Sequence, residues 1–336
     1  MRVVFGPRLS LVCWTLTPFV KMPRMEKKPA KRNSLPQTYD FKGGDVPAKV
    51  RDMIETHLAI EAEDARRAGA LGFMARALAI ATLPHRKQYL PVFRRKNGDF
   101  TLTMVTAHPD GLPYGTLPRV LLTWVCTEAV RKGEPVLSLG DSLSGYLAEL
   151  NLHRTGGARG DITRLKYQMS TLFSSLISCR YEGKDAWTLQ NVLLAESVDW
   201  WEPQNPEEAG AWRSRLQLSQ PFFQECVDHP LPIDLRVIKL LRRAPLAMDI
   251  YMWLTHRMSY LSRRTTIPWH SLMAQFGSDY SNNDQGLRDF RRAFIRQLKN
   301  VHYLYREARI EATDDGLVLL PSPTHVPSAP SQRALF

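Results

Sequence analysis

The stretch from Asn283 to Leu320 constrains this chain most. It encodes an amphipathic helix whose polar side is nearly all cationic, followed at once by a short strand pair. At about 100° per residue, Leu287, Phe290, Phe294, Leu298 and Val301 fall on one stripe, and Arg288, Arg291, Arg292, Arg296 and Lys299 fall together on another. An apolar stripe demands a core. A row of cations beside it suits either open water, as on any solvated charged helix, or an anionic surface. The following residues favour the anionic surface: Tyr303 to Thr313, a turn at Asp314-Asp315-Gly316, and Leu317 to Leu320 read as a β-hairpin that carries Arg306 and Arg309.

The distribution of charge points the same way. Net charge is +12, with ten Lys/Arg against three acids in residues 1–49 and seven against three in residues 284–309, so the rest is close to neutral. Such an excess suits a polyanionic partner. At 336 residues, 44% hydrophobic, the chain can build two modest cores. Cys13, Cys126, Cys179 and Cys226 form no Cys-x-x-Cys pair and have no histidine at zinc spacing, so neither a disulfide framework nor a metal is expected, and a reducing cytoplasm is the expected location. The run Leu9 to Val20 is too short to span a bilayer and is broken by Pro18.

Residues 1–45 read as a disordered basic tail. From Val46 to about Thr82 a long helical extension is expected, and Phe100 to Val105 alternates like a strand. One element order then occurs twice. In the first copy Thr116 caps a helix with Leu117, Val120, Leu121, Trp124 and Val125 on one face, and Gly133 stops it. A strand at Pro135 to Leu137, a helix at Ser142 to Leu150, a turn at Thr155 to Gly157, a helix from Asp161 to Ile177 and a hairpin of Cys179–Tyr181 with Trp187–Leu194 follow. In the second copy a helix from Ala244 to Leu261 leads to an extended link at Thr265 to Pro268, a helix from His270 to Phe276, the cationic helix and its hairpin. This is the order of a winged helix-turn-helix. The expected fold is α+β, mainly α: two tandem winged-helix domains at 46–200 (with the extension) and 214–322, joined by a linker at 201–213, with a disordered tail from 323 to 336.

The two third helices differ. The first buries Ile162, Leu165, Met169, Leu172, Phe173 and Leu176 and turns out Thr163, Arg164, Tyr167, Ser170, Thr171 and Ser174, a polar but nearly neutral face. The second is expected to read bases, because arginine matches the O6/N7 edge of guanine. The first would contribute phosphate contacts through Arg154, Arg159, Arg164 and Lys166, or a protein interface.

Several motifs resemble the RepA-type plasmid replication initiators of Gram-negative bacteria. They are Leu71-Gly-Phe-Met-Ala-Arg76, Thr82-Leu-Pro-His-Arg86, Gly115-Thr-Leu-Pro-Arg119 with Trp124, Leu139-Gly-Asp-Ser-Leu-Ser144, Thr155-Gly-Gly157 and Asp161-Ile-Thr-Arg-Leu165, within residues 70–320. The resemblance implies a protein that binds directly repeated origin sequences (iterons) in double-stranded DNA, promotes melting of a neighbouring A·T-rich stretch, and meets the host replicative helicase and the host initiator DnaA. It also implies a monomer–dimer equilibrium through the first domain.

No enzyme is expected. A phosphate loop of the form Gly-x-x-x-x-Gly-Lys-Ser/Thr is missing, so no nucleotide cofactor is expected, and there is no His-hydrophobic-His pair of the kind a nicking enzyme uses to position a metal. His153, His256, His270 and His302 read as structural residues. Trp200, Trp201 and Trp212 read as packing residues, with base stacking as the other use. Tyr303 and Tyr305 read as core edges at the base of the hairpin. A transcriptional repressor and a rolling-circle nicking protein stand as alternatives.

Overall fold

The computed structural model describes residues 48–80, 82–139, 148, 161–182, 187–199, 214–277 and 280–327. The basic tail, the helix expected at Ser142 to Leu150 apart from Ala148, the Thr155 turn and the 201–213 linker lie outside these residues.

The extension is not one helix. Helix α1 (Ala48–Ala62) stops where the Asp64 carboxylate accepts the backbone N–H groups of Arg66 at 2.9 Å and Arg67 at 3.2 Å, a local bond that competes with helix continuation. The chain turns through Gly69 at φ 65° and enters strand β1 (Leu71–Ala75), then a short helix α2 (Arg76–Ile80). Strand β1 finds its partner far along the sequence: it pairs antiparallel with β9 (Pro230–Asp234), Leu71 opposite Asp234 and Ala75 opposite Pro230. Gly72 is required by packing rather than by its dihedrals. A Cβ there would run into the Leu235 side chain and crowd Thr127 Oγ1, so only glycine lets β1 lie this close to its neighbours.

Helix α3 (Leu117–Lys132) is the hub. Gly133 closes it at φ 66°, donating its N–H to Ala129 O at 2.9 Å. The sequence reading gave it one apolar face, but nearly the whole helix is buried, including Thr123, Thr127 and Glu128. Thr127 Oγ1 accepts the Phe73 N–H at 2.9 Å and donates to Thr123 O at 2.6 Å, which lets a polar side chain sit inside. Packed around α3 are β1, strand β4 (Val136–Ser138), helix α4 (Asp161–Phe173) and helix α5 (Gln220–Asp228). The α3–α5 contact brings the Cys126 and Cys226 sulfurs to 3.5 Å.

Helix α4 ends at Phe173, short of the expected Ile177. Thr171 Oγ1 donates to Tyr167 O at 3.0 Å and Ser175 Oγ to Thr171 O at 2.7 Å, so these hydroxyls turn back on the backbone. Thr171, expected on the outer face, is therefore fully buried. Strand β5 (Ser175–Glu182) starts at once and forms the expected hairpin with β6 (Trp187–Leu193). On its other edge β5 pairs with β3 (Phe100–Thr106), which pairs with β2 (Val92–Asn97), giving a four-stranded sheet β2-β3-β5-β6. Strand β4 does not join it. It lies in a second sheet, β4-β8-β7, with β8 (Arg215–Leu218) and β7 (Ala195–Asp199). The two copies of the element order thus differ in how their first strands pair.

In the C-terminal part, helix α6 (Leu235–Leu241) and the buried helix α7 (Pro245–Tyr260) precede β10 (Thr265–Pro268), α8 (Trp269–Phe276) and α9 (Asp284–Leu304). Strands β11 (Ile310–Ala312) and β12 (Gly316–Leu319) close a sheet of order β10-β12-β11. The hairpin is shorter than expected, because Tyr303 and Leu304 still belong to α9. Phe276, Phe290, Phe294, Trp253 and Trp269 form one aromatic core with ring centroids 5.5–6.0 Å apart.

The N-terminal elements pack on this part: α1 on α6 and α9, α2 on α7, and β2 on α8. Arg236 fastens α1 by donating to Ala59 O at 2.8 Å and Glu63 O at 3.0 Å. At the other end, the chain expected to be loose from residue 323 is docked as far as Val326. The Tyr305 hydroxyl donates to Pro323 O at 2.5 Å, His325 Nδ1 lies 2.8 Å from Tyr251 Oη, and Val326 is buried.

Candidate nucleic-acid interface

Helix α9 starts at Asn283, whose side-chain oxygen accepts the Gly286 N–H at 2.8 Å. Gly286 is buried against the Ser281 backbone, and any Cβ would overlap the Ser281 carbonyl. The helix therefore enters its first turn at a fixed angle. Phe290, Phe294, Leu298, Val301 and Leu304 are buried and Leu287 half-buried, which fixes its rotation. A helix of 21 residues is about 30 Å long, and its outer side carries Arg288, Arg292, Arg296 and Lys299, all exposed.

These four cations are held unequally. Arg288 donates to Gln285 Oε1 at 2.9 Å and Arg292 lies 3.4 Å from Asp289, both bonds within one turn on an exposed surface, where such pairs contribute a few tenths of a kcal/mol. Arg296 and Lys299 have no hydrogen-bond or ion-pair partner among the described residues. All four remain available to an anion.

Arg291 is placed differently from the rest of the row. Its guanidinium donates to Thr313 O at 3.1 Å and Asp314 Oδ1 at 2.9 Å and lies 5.2 Å above the Trp269 ring. It braces the β11–β12 turn against the helix. Arg306 lies beyond the end of α9, over Tyr303 and 4.0 Å from Glu61 of α1, and Arg309 donates to Pro321 O. Arg164 is exposed on α4 and Lys166 half-buried, while Arg154 and Arg159 lie outside the described residues, as do His153, Trp200, Trp201 and Trp212. Tyr305 is a buried core residue, and Tyr303 packs on His57 at 5.3 Å.

One buried charge cluster, not read from the sequence as a unit, lies behind this surface. Arg119, on α3, grips Asp249, on α7, through Nε–Oδ1 at 2.7 Å and Nη2–Oδ2 at 2.6 Å, and also donates to Leu83 O, Pro84 O and Gly115 O. His85 Nε2 lies 2.7 Å from Asp249 Oδ2. Burial pushes the Asp249 carboxyl up, but the Arg119 charge and the two bonded neighbours outweigh it and hold it below the usual carboxylate range. Burial also lowers the His85 imidazole, against the pull of Asp249. The sequence signal was an arginine inside an apolar helix and a histidine after Leu-Pro, both within motifs that carried the resemblance.

Burial depresses four histidines together: His85, His302 and His325 fall below the usual value, and His256 falls to about 4. A lowered histidine stays neutral in the folded chain while the unfolded chain takes up a proton, so stability is complete above about pH 6.5 and is lost as pH falls toward the folded value. Asp249 acts in the same direction at lower pH. For His256 alone the span from 6.5 to 4 corresponds to about 3 kcal/mol. Melting temperature at constant ionic strength is expected to be flat from pH 8 to about pH 7 and to fall steadily below pH 6.5. A profile flat down to pH 5 would show that these histidines protonate without cost.

Among the described residues no cluster of His, Cys, Asp and Glu is placed to hold a metal ion, and no helix is long and apolar enough to cross a membrane.

Residues 112–271 match the family model of the plasmid-encoded RepA protein, the family that the sequence motifs resemble. Two solved structures are similar to the chain. A crystal structure of RctB domains 2–3 aligns with TM-score 0.44 and 10% identity over 72% of this chain and 93% of that one. A selenomethionine derivative of RctB domains 2 and 3 aligns with TM-score 0.46 and 11% identity over 72% and 94%. No curated protein matches the chain.

Proposed function

We propose that this chain is a plasmid replication initiator that binds repeated sequences in duplex origin DNA by laying α9 in the major groove. The observation that carries this reading is the row Arg288, Arg292, Arg296 and Lys299, exposed along one side of a helix whose other side is locked in the core. The element order α7-β10-α8-α9-β11-β12, with β10 pairing to β12, supports reading this part as a winged helix-turn-helix, whose third helix enters the groove. The match of residues 112–271 to the model of the plasmid-encoded RepA protein supports replication as the setting.

In this reading the protein acts by binding and is not an enzyme. Monomers occupy successive direct repeats, bend the array and strain a flexible A·T tract, while a dimer closed through the first domain prefers an inverted repeat in its own promoter. Host replicative helicase and DnaA are then recruited to the opened strand. Sedimentation of complexes on both DNAs, with permanganate probing of the origin, tests this. Monomers on direct repeats with opening that needs no ATP hydrolysis by this chain are expected; a dimer on direct repeats would sink it. Plasmid maintenance separates the repressor reading, because a repressor alone would occupy the promoter and leave an origin-bearing plasmid unreplicated.

A further inference from the structure

The sheet β2-β3-β5-β6 buries one face and leaves the other open. Phe93, Leu102, Met104 and Ile177 point inward. By register, the open face carries three cross-strand rows: Val92, Val105, Leu176 and Leu193; then Arg94, Thr103, Ser178 and Asn191; then Lys96, Thr101, Arg180 and Leu189. Arg94 and Lys96 are exposed and have no hydrogen-bond or ion-pair partner among the described residues, and they stand two residues apart, about 6.6–6.8 Å along the strand. Arg180 holds Glu182 at 2.6 Å, and Glu182 is the one acid in these four strands. The chain enters β2 through Arg86, Lys87, Tyr89 and Leu90, with Tyr89 95% exposed. An aromatic ring so exposed packs on nothing among the described residues.

We propose that this open face is a second nucleic-acid surface, separate from α9, that takes a single DNA strand. Arg94 and Lys96 would meet its phosphates, the hydroxyl and amide groups of Thr101, Thr103, Ser178 and Asn191 would bond to phosphate and sugar oxygens, and Tyr89 would stack on an unpaired base. A broad four-stranded face with cationic and hydroxyl rows beside an apolar one, and an aromatic at its edge, is not the single helix or two-stranded ribbon that enters a duplex groove, whereas splayed bases and backbone lie across such a platform. The apolar row alone would also suit a second copy of this chain. A two-fold contact, however, sets a patch against itself, and a copy of this face offers Arg94 and Lys96 only Glu182, the one acid in the four strands, which Arg180 already holds. A phosphodiester strand complements the same charges.

The test uses the full chain with labelled oligothymidylate and a labelled random duplex, titrated across salt concentrations. Arg94→Gln with Lys96→Gln is expected to weaken oligothymidylate binding about tenfold and to lower its salt slope by about 1.4, the value for two lost phosphate contacts on a single strand. Tyr89→Ala is expected to weaken it about fivefold or more, since stacking contributes about 1 kcal/mol or more per base. Both variants should keep duplex affinity within about twofold and melt like the parent, because these side chains lie on the surface. Lys299→Ala on α9 should do the reverse, weakening binding to the random duplex and keeping the single strand, so failure of the α9 reading remains distinguishable. Unchanged oligothymidylate binding in the sheet variants, equal loss on the duplex, or a shift from dimer to monomer with single-strand affinity intact would each overturn the assignment.

Discussion

Arg119→Ala is expected to destabilise the fold by about 3–5 kcal/mol, the usual cost of leaving one member of a buried ion pair without its partner. The guanidinium is 1% exposed and satisfies both Asp249 oxygens together with three backbone carbonyls, so its loss strands a buried carboxylate and orphans Leu83 O, Pro84 O and Gly115 O at once. Domains of this kind have a total stability of about 5–15 kcal/mol. Urea unfolding should show the midpoint falling sharply with the slope unchanged. Arg119→Lys should rescue little, because an ammonium lacks the planar fork that reaches carboxylate and carbonyls together. Asp249→Ala should cost a similar amount, and the double variant less than the sum of the two, since the pair is lost once rather than twice. A loss under about 1 kcal/mol for Arg119→Ala would mean that water enters the site and replaces the clasp. The cluster joins residues 83–85, α3 and α7, so the variant is expected to lose binding to all DNA in proportion to its unfolded fraction, with no change in preference.

How much of this could be read from the sequence depended on the range of each interaction. Helices α3, α7, α8 and α9 were legible because their apolar residues recur every three to four positions and their ends carry local signals such as Gly133 and Asn283. Strand β1 was not. Leu71-Gly-Phe-Met-Ala is small and apolar, consistent with a helix, and what makes it a strand is β9, more than 150 residues away, together with the space that only Gly72 leaves for Leu235. The start of β5 was hidden in the same way, since its pairing with β3 overrides a helical pattern that runs on from α4. Residues 323–326 have the composition of a loose tail, and the docking of His325 against Tyr251 and Tyr305 leaves no periodic trace. In the site, the periodicity placed five cations on one side of α9 but could not separate Arg291 from the others, because its partners Thr313 and Asp314 return to it only through the hairpin. Arg119 and His85 were present as motif letters without their meaning, for the same reason: Asp249, which joins them, lies 130 residues from the first and 164 from the second.

That separation of Arg291 from its neighbours sharpens what substitution in α9 should do. Arg292→Ala and Arg296→Ala are each expected to weaken binding to origin repeats about 5- to 150-fold, the equivalent of the 1–3 kcal/mol that a bidentate contact to a base edge contributes to discrimination. Random duplex should lose no more than a few-fold, because it never offered that contact. Lys299→Ala, a point charge near the C-terminal end of the row, should weaken both DNAs alike and lower the salt slope by about 1, as a phosphate contact does. Arg291→Ala should behave differently again. Removing it frees the turn at Thr313 and Asp314 from the helix, so it is expected to lower melting temperature and weaken both DNAs together, with the preference for repeats intact. Titrations of all four variants on both DNAs at one fixed salt concentration, with a salt series for Lys299→Ala, decide the matter. Equal fractional loss on repeats and random duplex for Arg292→Ala and Arg296→Ala would make these residues phosphate contacts, and base reading would then have to come from a part of the protein other than the exposed row of α9.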